Sequence, residues 1–313
     1  MLESPDARGA SGLFPFEGPS GTRASIGPAG KEFAINEDER VGELADIHGE
    51  LDLHRPNAAR MYDYFLGGTQ NFPADRGAAR KQLELLPETR VGVRENRSFL
   101  RRVVRFCVER GIRQFLDLGS GIPTVGNVHE VAHQGDPDAV IAYVDHEPVA
   151  VAHARRLLQA EPRVSVTQAD LAHPADVLAA AGVRRLLDLR EPVAVLALSV
   201  LHFIPDESGP TGVLATYRDA CAPGSVLAVS HASGAGLTST QVVEGLRIYD
   251  RTPTPLSLRP AEQAGELMAG WALVPPGVVP VVDWRPDVPV GAEVRAAVGS
   301  GWSAVGVRPS ARS

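Results

Sequence analysis

Short apolar runs recur through the middle of the chain, separated by stretches whose apolar positions fall three and four residues apart. The runs are RQFLDLG, AVIAYVD, RVSVTQAD, PVAVLALSV and SVLAVSH, and the helical spacing lies over 125–134, 148–160, 174–187 and 212–220. Strand alternating with helix at this interval predicts parallel strands joined by right-handed crossovers, hence an α/β, doubly wound sheet with helices on both faces. Ahead of the first run, 88–110 reads as a long helix with Phe99, Val103, Phe106 and Cys107 on one face and Gly111 as its stop. Further upstream, Pro56 opens a short helix that Gly67 and Gly68 end. Beyond Ser230 the stretches 241–249 and 260–269 read as helices. WALVPPGVVPVVDW reads as two strands folded about Pro275, Pro276 and Gly277, a closing antiparallel hairpin. Residues 1–50 scatter their apolar positions among Gly, Ser, Ala, Pro and charge, which predicts a mostly disordered tail. The chain thus divides into a tail over 1–50, a helical cap over 51–111, an α/β domain over 112–286 and a C-terminal extension over 287–313.

Composition narrows the partners. With 313 residues, 44% of them hydrophobic, the chain is long enough for one large α/β domain. Its net charge of -7 disfavours nucleic acid or an anionic membrane as the main partner, since such binding rests on clustered cations. Cys107 and Cys221 are too few for a disulfide framework and read as reduced thiols. The longest apolar run, over 193–204, is too short to span a bilayer, and the first residues lack the order of a signal peptide, so a cytoplasmic protein is expected.

The first run leads into LDLGSGIP, which places Asp117, Gly119 and Gly121 at a strand-to-helix turn. In an open α/β sheet a ligand binds outside the carboxyl ends of the strands, and glycines let the backbone approach it. A tight turn needing positive φ would use the same glycines, so the loop alone decides nothing. The next runs add to it. The second ends in Asp145, about two dozen residues past Gly121, placed to accept hydrogen bonds from ribose hydroxyls. The third ends in Asp170 and Leu171, a carboxylate for an exocyclic amine beside an apolar cover for an adenine face. A dinucleotide fingerprint asks for a third glycine, whereas Gly121 is followed by Ile122, Pro123 and Thr124 with nothing basic nearby. A cofactor without phosphates fits better. S-adenosylmethionine combines ribose, adenine, a sulfonium that tolerates carboxylates and an ammonium for which Asp117 is an acceptor. The competing readings are an NAD(P)-dependent oxidoreductase and a regulator that binds S-adenosylmethionine but transfers nothing.

FLDLGSGIPT, YVDHEPVAVAHARRLL, VLHFIPD and YRDACAPGSVLAVSH resemble the Rossmann-like class I methyltransferases. Together with RPNAARMYDYFLGGTQNFPADR they are similar, over 55–286, to an actinobacterial family of S-adenosylmethionine-dependent methyltransferases long catalogued as a domain of unknown function. The resemblance implies a seven-stranded sheet whose last two strands form the reversed hairpin. It places Gly119, Ser120 and Gly121 against the methionine part of the cofactor, Asp145 on the ribose, Asp170 beside the adenine, and Ser199 and His202 on the sulfonium side. Two positions depart from the family pattern: Thr69 and Gln70 stand where a basic-acidic pair often follows the glycines, and His146 stands where an Asn often follows the ribose acid.

The tyrosine-glycine segment, absent from the minimal methyltransferase core, then suits a cap over the cofactor mouth. Its rings would exclude water, and Arg60, Tyr62 or Asn71 would reach the cofactor's carboxylate or adenine, with Tyr64 and Gly68 counted among the contacts. The other reading is a helix packed on the sheet with Tyr64 and Phe65 in the core. His202 reads either as a general base or as a residue that orients its loop. His129 and His133 lack a third ligand, so no metal site is expected. Arg94, Arg97, Arg101 and Arg105 line one helix face, which reads as solvated. Methyl transfer asks mainly for in-line placement, so the core looks alike for oxygen, nitrogen and carbon acceptors; a small-molecule acceptor is expected.

Overall fold

The computed structural model describes residues 52–123 and 126–310. The tail expected over 1–50 lies outside the described residues, as do positions 124 and 125 at the expected start of one helix. Three helices come first: α1 (Ala58–Leu66), α2 (Pro73–Leu85) and α3 (Thr89–Glu109). The α/β alternation follows with β1 (Gln114–Leu118), α4 (Val128–Gly135), β2 (Val140–Asp145), α5 (Pro148–Leu158) and β3 (Val164–Gln168). It continues with α6 (Pro174–Ala179), α7 (Ala181–Leu186), β4 (Val193–Leu198), α8 (Pro210–Ala220) and β5 (Val226–Ala232). The remainder is α9 (Ser239–Tyr249), α10 (Ala264–Leu267), β6 (Ala272–Leu273), α11 (Ala292–Ala297) and β7 (Gly301–Val307).

The strands form one seven-stranded sheet in the order β3-β2-β1-β4-β5-β7-β6, with β1 to β5 parallel and β7 antiparallel to both its neighbours. Strand side chains alternate between two cores. Phe115, Ile141 and Leu196 face the layer of α3 and α4, while Leu116, Val195 and Val144 face the layer of α7 and α8 with Tyr217 and Trp302. Burial on both faces is why these runs read as near-continuously apolar. The strand order reverses between β1 and β4, which opens a crevice at their carboxyl ends.

Three sequence expectations are corrected, and one helix was not expected. The closing hairpin is antiparallel as expected, but its second strand is β7, not the stretch 278–284. Pro280 has no N–H to donate, so that stretch makes only a Val279–Ser303 bridge and a single turn over Val281–Asp283. The stretch over 287–313 is therefore no extension, because β7 sits inside the sheet. The helix read over 174–187 breaks at Ala180, whose backbone is extended (ψ 136°). Helix α2, with Gly77 in mid-helix and few apolar positions, had no sequence signal strong enough to announce it.

The cap helices are held by a buried cation. Asn57 caps α1 by accepting from Ala59 N (2.8 Å), and Asp75 accepts from Asn57 N and Phe72 N at the start of α2. Between them lies the Arg60 guanidinium, whose Nε donates to Asp75 (2.9 Å) and whose Nη1 donates to Glu147 (3.1 Å). Glu147 in turn caps α5 through Ala150 N (2.6 Å). Burial raises the pKa of Glu147, and the Arg60 charge opposes that shift. On the opposite side of α3, Arg102 donates to the carbonyls of Trp284 and Val281 and pins the loop before β7.

Removing one member of such a buried set leaves its partners uncompensated. Arg60→Met is expected to lower stability by about 3–5 kcal/mol, read as a lower urea midpoint. A midpoint equal to that of the unmodified protein would show that the guanidinium is dispensable to the cap.

Candidate active site

The loop after β1 turns through two left-handed glycines, Gly119 (φ 70°) and Gly121 (φ 64°). Gly119 has no room for a side chain, since a Cβ there would lie 2.2 Å from Val200 Cγ2. The N–H groups of Gly119 and Ser120 both donate to Val144 O, which folds the loop back over β2. Gly121 N donates to Asp145 Oδ2 (2.7 Å), while Asp145 Oδ1 accepts from Glu147 N (2.9 Å). The carboxylate at the end of β2 thus fixes the glycine loop and is itself tied to the Arg60 network. Asp117 points to the same place from β1. Burial pushes its carboxyl up to about 7; nearby Arg97 pulls it down and Asp145 pushes it further up.

These groups form one end of a cavity of about 210 Å³. The cap supplies the facing wall through α1 and α3. Tyr62 Oη donates to Val93 O (3.2 Å) and accepts from Asn96 Nδ2 (3.0 Å), and the Arg97 guanidinium lies over the Tyr62 ring at 5.6 Å. The Arg97 Nε is buried and has no hydrogen-bond partner among the described residues. Asn96 Oδ1 accepts from Ser230 Oγ (2.6 Å), and Ser199 N donates to the same hydroxyl oxygen (2.9 Å). That chain of bonds holds Ser199 at φ 53°, a left-handed conformation rare for a non-glycine residue. Tyr62, Asn96, Ser230 and Ser199 thereby link the cap to the ends of β4 and β5.

His202 closes the far end. Burial, with His231 and the Arg259 charge nearby, holds its pKa well below the ordinary value, so the ring is neutral. Its Nδ1 accepts from Ala232 N (3.4 Å), which puts the ring proton on Nε2. In that tautomer the ring offers a proton from Nε2. His231 behind it donates from Nδ1 to Ala232 O, accepts at Nε2 from Arg259, and stacks on Trp302 with centroids 5.3 Å apart.

Of the residues singled out in the sequence, Tyr62, Asp117, Gly119, Ser120 and Gly121 border this cavity, as do Asp145, His146, Ser199 and His202. The others do not. Arg60 is consumed by Asp75 and Glu147; Asn71 donates to Asp63 and to Gly68 O, bracing the turn after α1. Tyr64 packs against the cap's own core with Arg90 over its ring, and a Cβ on Gly68 would strike the Asp63 carboxylate rather than a ligand. The Asp170 carboxylate is exposed, accepts from Ala172 N (2.8 Å) and faces His173, while Leu171 belongs to the core under α8. The arginine stripe also divides. Arg97 faces the cavity, Arg105 pairs with Asp287, and Arg94 and Arg101 are exposed. Asn96 was overlooked although it precedes Phe99 by one turn on the apolar face, where a polar residue is itself a signal.

Seven strands in this order, with a glycine loop after β1 and a carboxylate ending β2, define a Rossmann-like methyltransferase. The chain belongs to the S-adenosyl methyltransferase family, whose profile matches residues 45–309. It is 38% identical to a proposed methyltransferase of Thermobifida fusca, with a TM-score of 0.78 over 83% of this chain and 97% of that one. It is 34% identical to a protein of domain-of-unknown-function family 574 from Streptomyces avermitilis, with a TM-score of 0.78 over 83% of this chain and all of that one (100%). No protein of curated function matches. The cofactor is accordingly S-adenosylmethionine, and the oxidoreductase reading is set aside. Among the described residues no helix is long and apolar enough to cross a membrane.

The close approach at Gly119 makes a specific demand. Gly119→Ala is expected to cost about 1–3 kcal/mol through overpacking and the positive φ. Val200→Ala in the same chain should restore part of that loss, as paired unfolding curves would record. Strict additivity of the two substitutions would count against the contact.

Proposed function

We propose that the protein transfers a methyl group from S-adenosylmethionine to a small-molecule acceptor, and that the 210 Å³ cavity holds the cofactor. The observation that carries this reading is the opposed pair at the glycine loop. Asp117 and Arg97 face one end of the cavity with opposite charge, which matches an amino-acid tail bearing an ammonium and a carboxylate. The partnerless Arg97 Nε is a donor in need of an acceptor there. Asp145 has lone pairs left for the ribose hydroxyls after accepting its two backbone bonds, and Ile122 and His146 flank it as surfaces for the adenine. Asp170 and Leu171 are left out of that contact set, given where their side chains lie.

When bound, the cofactor supplies a methyl group on a sulfonium. The protein's own contribution is placement. Phe65, Phe203 and Tyr249 exclude water, Ser199 and His202 bound the far end, and the His202 Nε2–H orients an acceptor oxygen by hydrogen bonding. Small-molecule acceptors are favoured because α1 and α3 roof the cavity. The roof is a fixed wall rather than a loosely held flap, as the Arg60 network and the packing of Met61 and Phe65 against Ala79 support.

Incubating the protein with cofactor carrying a labelled methyl group and a small-molecule extract, then following the label by mass spectrometry, tests transfer directly; repeated failure despite measured binding would refute it. The binding mode has its own test in calorimetry with S-adenosylhomocysteine. Asp117 is raised to about 7 in the folded protein, and a ligand ammonium favours its ionised form, so binding releases a proton. Affinity should therefore rise with pH through 7 and level off above it, and Asp117→Asn should weaken binding and flatten that profile. Arg97→Met should weaken binding by about 1.5–3 kcal/mol. A profile unchanged by Asp117→Asn would remove the ammonium from this carboxylate.

A further inference from the structure

A second cavity, of about 420 Å³, lies beyond His202, between α2, α3, α9 and the carboxyl end of β5. Thr89, Val93, Asn96, Ser199, His202 and Tyr249 border both cavities, so the two open onto one shared wall. Aliphatic side chains, Leu86, Leu256, Leu258 and Val298 among them, share its lining with glycines and with the uncharged polar side chains of Asn96, Ser199, Ser230, Gln241 and Ser300. Among the described residues its one acidic or basic side chain besides histidine is Glu88, which is exposed to solvent. Both histidines on its wall are held neutral by burial, and His231 has both ring nitrogens engaged.

Among its polar groups one stands out for a buried atom left without a partner. Gln82 is 7% exposed, borders the cavity, and its buried Oε1 has no hydrogen-bond partner among the described residues. A carboxamide so placed carries a desolvation penalty until something pairs with it. A charged guest is disfavoured, because no opposite charge lines the interior to compensate its loss of water. A neutral hydroxyl suits the carboxamide in either orientation, since it both donates and accepts. At the shared wall stand Tyr249 and His202, two further polar side chains that border both cavities.

We propose that this second cavity is the methyl-acceptor chamber and that it takes an uncharged, largely apolar hydroxyl compound anchored by the Gln82 carboxamide. As the methyl passes from sulfur to the acceptor atom, the cofactor leaves as the neutral thioether and the displaced proton goes to solvent water. The assignment rests on the reading of the first cavity as the cofactor site. It explains why two chambers meet at His202 and Tyr249 rather than one continuous groove running past them. It also gives a task to α2, which contributes Gln82 and no residue to the first cavity.

The test uses three probes of similar size, naphthol, naphthoate and naphthylmethylammonium, titrated into the full chain near neutral pH in the calorimeter, with and without S-adenosylhomocysteine. Naphthol should bind at least about tenfold more tightly than either charged probe. Gln82→Leu should weaken naphthol by about tenfold, and Ala297→Trp, which fills the chamber, should abolish its binding. Both variants should keep the affinity for S-adenosylhomocysteine, which also establishes that they are folded. Equal or tighter binding of a charged probe, or naphthol binding indifferent to both substitutions, would overturn the proposal. Naphthol binding as expected with no binding of S-adenosylhomocysteine would overturn the cofactor reading instead and leave the chamber standing.

Discussion

The architecture of the site hangs on one buried guanidinium. Arg60 lies on a helix of nine residues that could not persist alone in water, yet its two carboxylate partners come from the start of α2 and the start of α5. Glu147 shares its backbone N–H with the carboxylate of Asp145, the same group that holds Gly121. The cap, the end of β2 and the glycine loop are therefore positioned by one charge-assisted set, and shifting any member shifts the cavity. Taking a cation and two carboxylates out of water is unfavourable in itself, so what the set confers is geometry more than free energy.

Much of the sheet was legible because its strands are covered on both faces. β1 to β5 show as apolar runs whatever packs on them, and the acid and glycines at their ends show as interruptions in those runs. The first cavity's floor, Asp117 through Gly121 with Asp145, was legible for that reason. The cap was not. An arginine reads the same in sequence whether it meets a ligand or two carboxylates, and the partners of Arg60 stand 15 and 87 residues away. Asp170 misled in the opposite direction, a strand-end acid whose carboxylate bends back to its own loop.

Arg97 and β7 failed to show for a different reason. The three- and four-residue spacing of the arginines fixes a face but not its fate, and α3 turns that face partly toward the cavity and partly toward solvent. β7 contains Gly301 and Gly306, which weaken the strand pattern, while the stronger pattern before it is broken by Pro280. Glycine is needed at 306 because a Cβ there would lie 2.7 Å from Trp271 Cβ and 3.0 Å from Met268 Cε, a long-range fact with no local trace.

The place of β7 in the sheet bears on how the protein is made. It inserts between β5 and β6, and among the described residues β6 pairs with β7 alone, so the two outer positions on that side are filled together. During vectorial synthesis the hydrogen-bonding edge of β5 stays bare until Gly301–Val307 has emerged from the ribosome, long after the five parallel strands are available. The nascent chain passes through a stage with the five parallel strands available and a bare flank, and that stage is where a chaperone, or a second unfinished chain, would find a strand to grip.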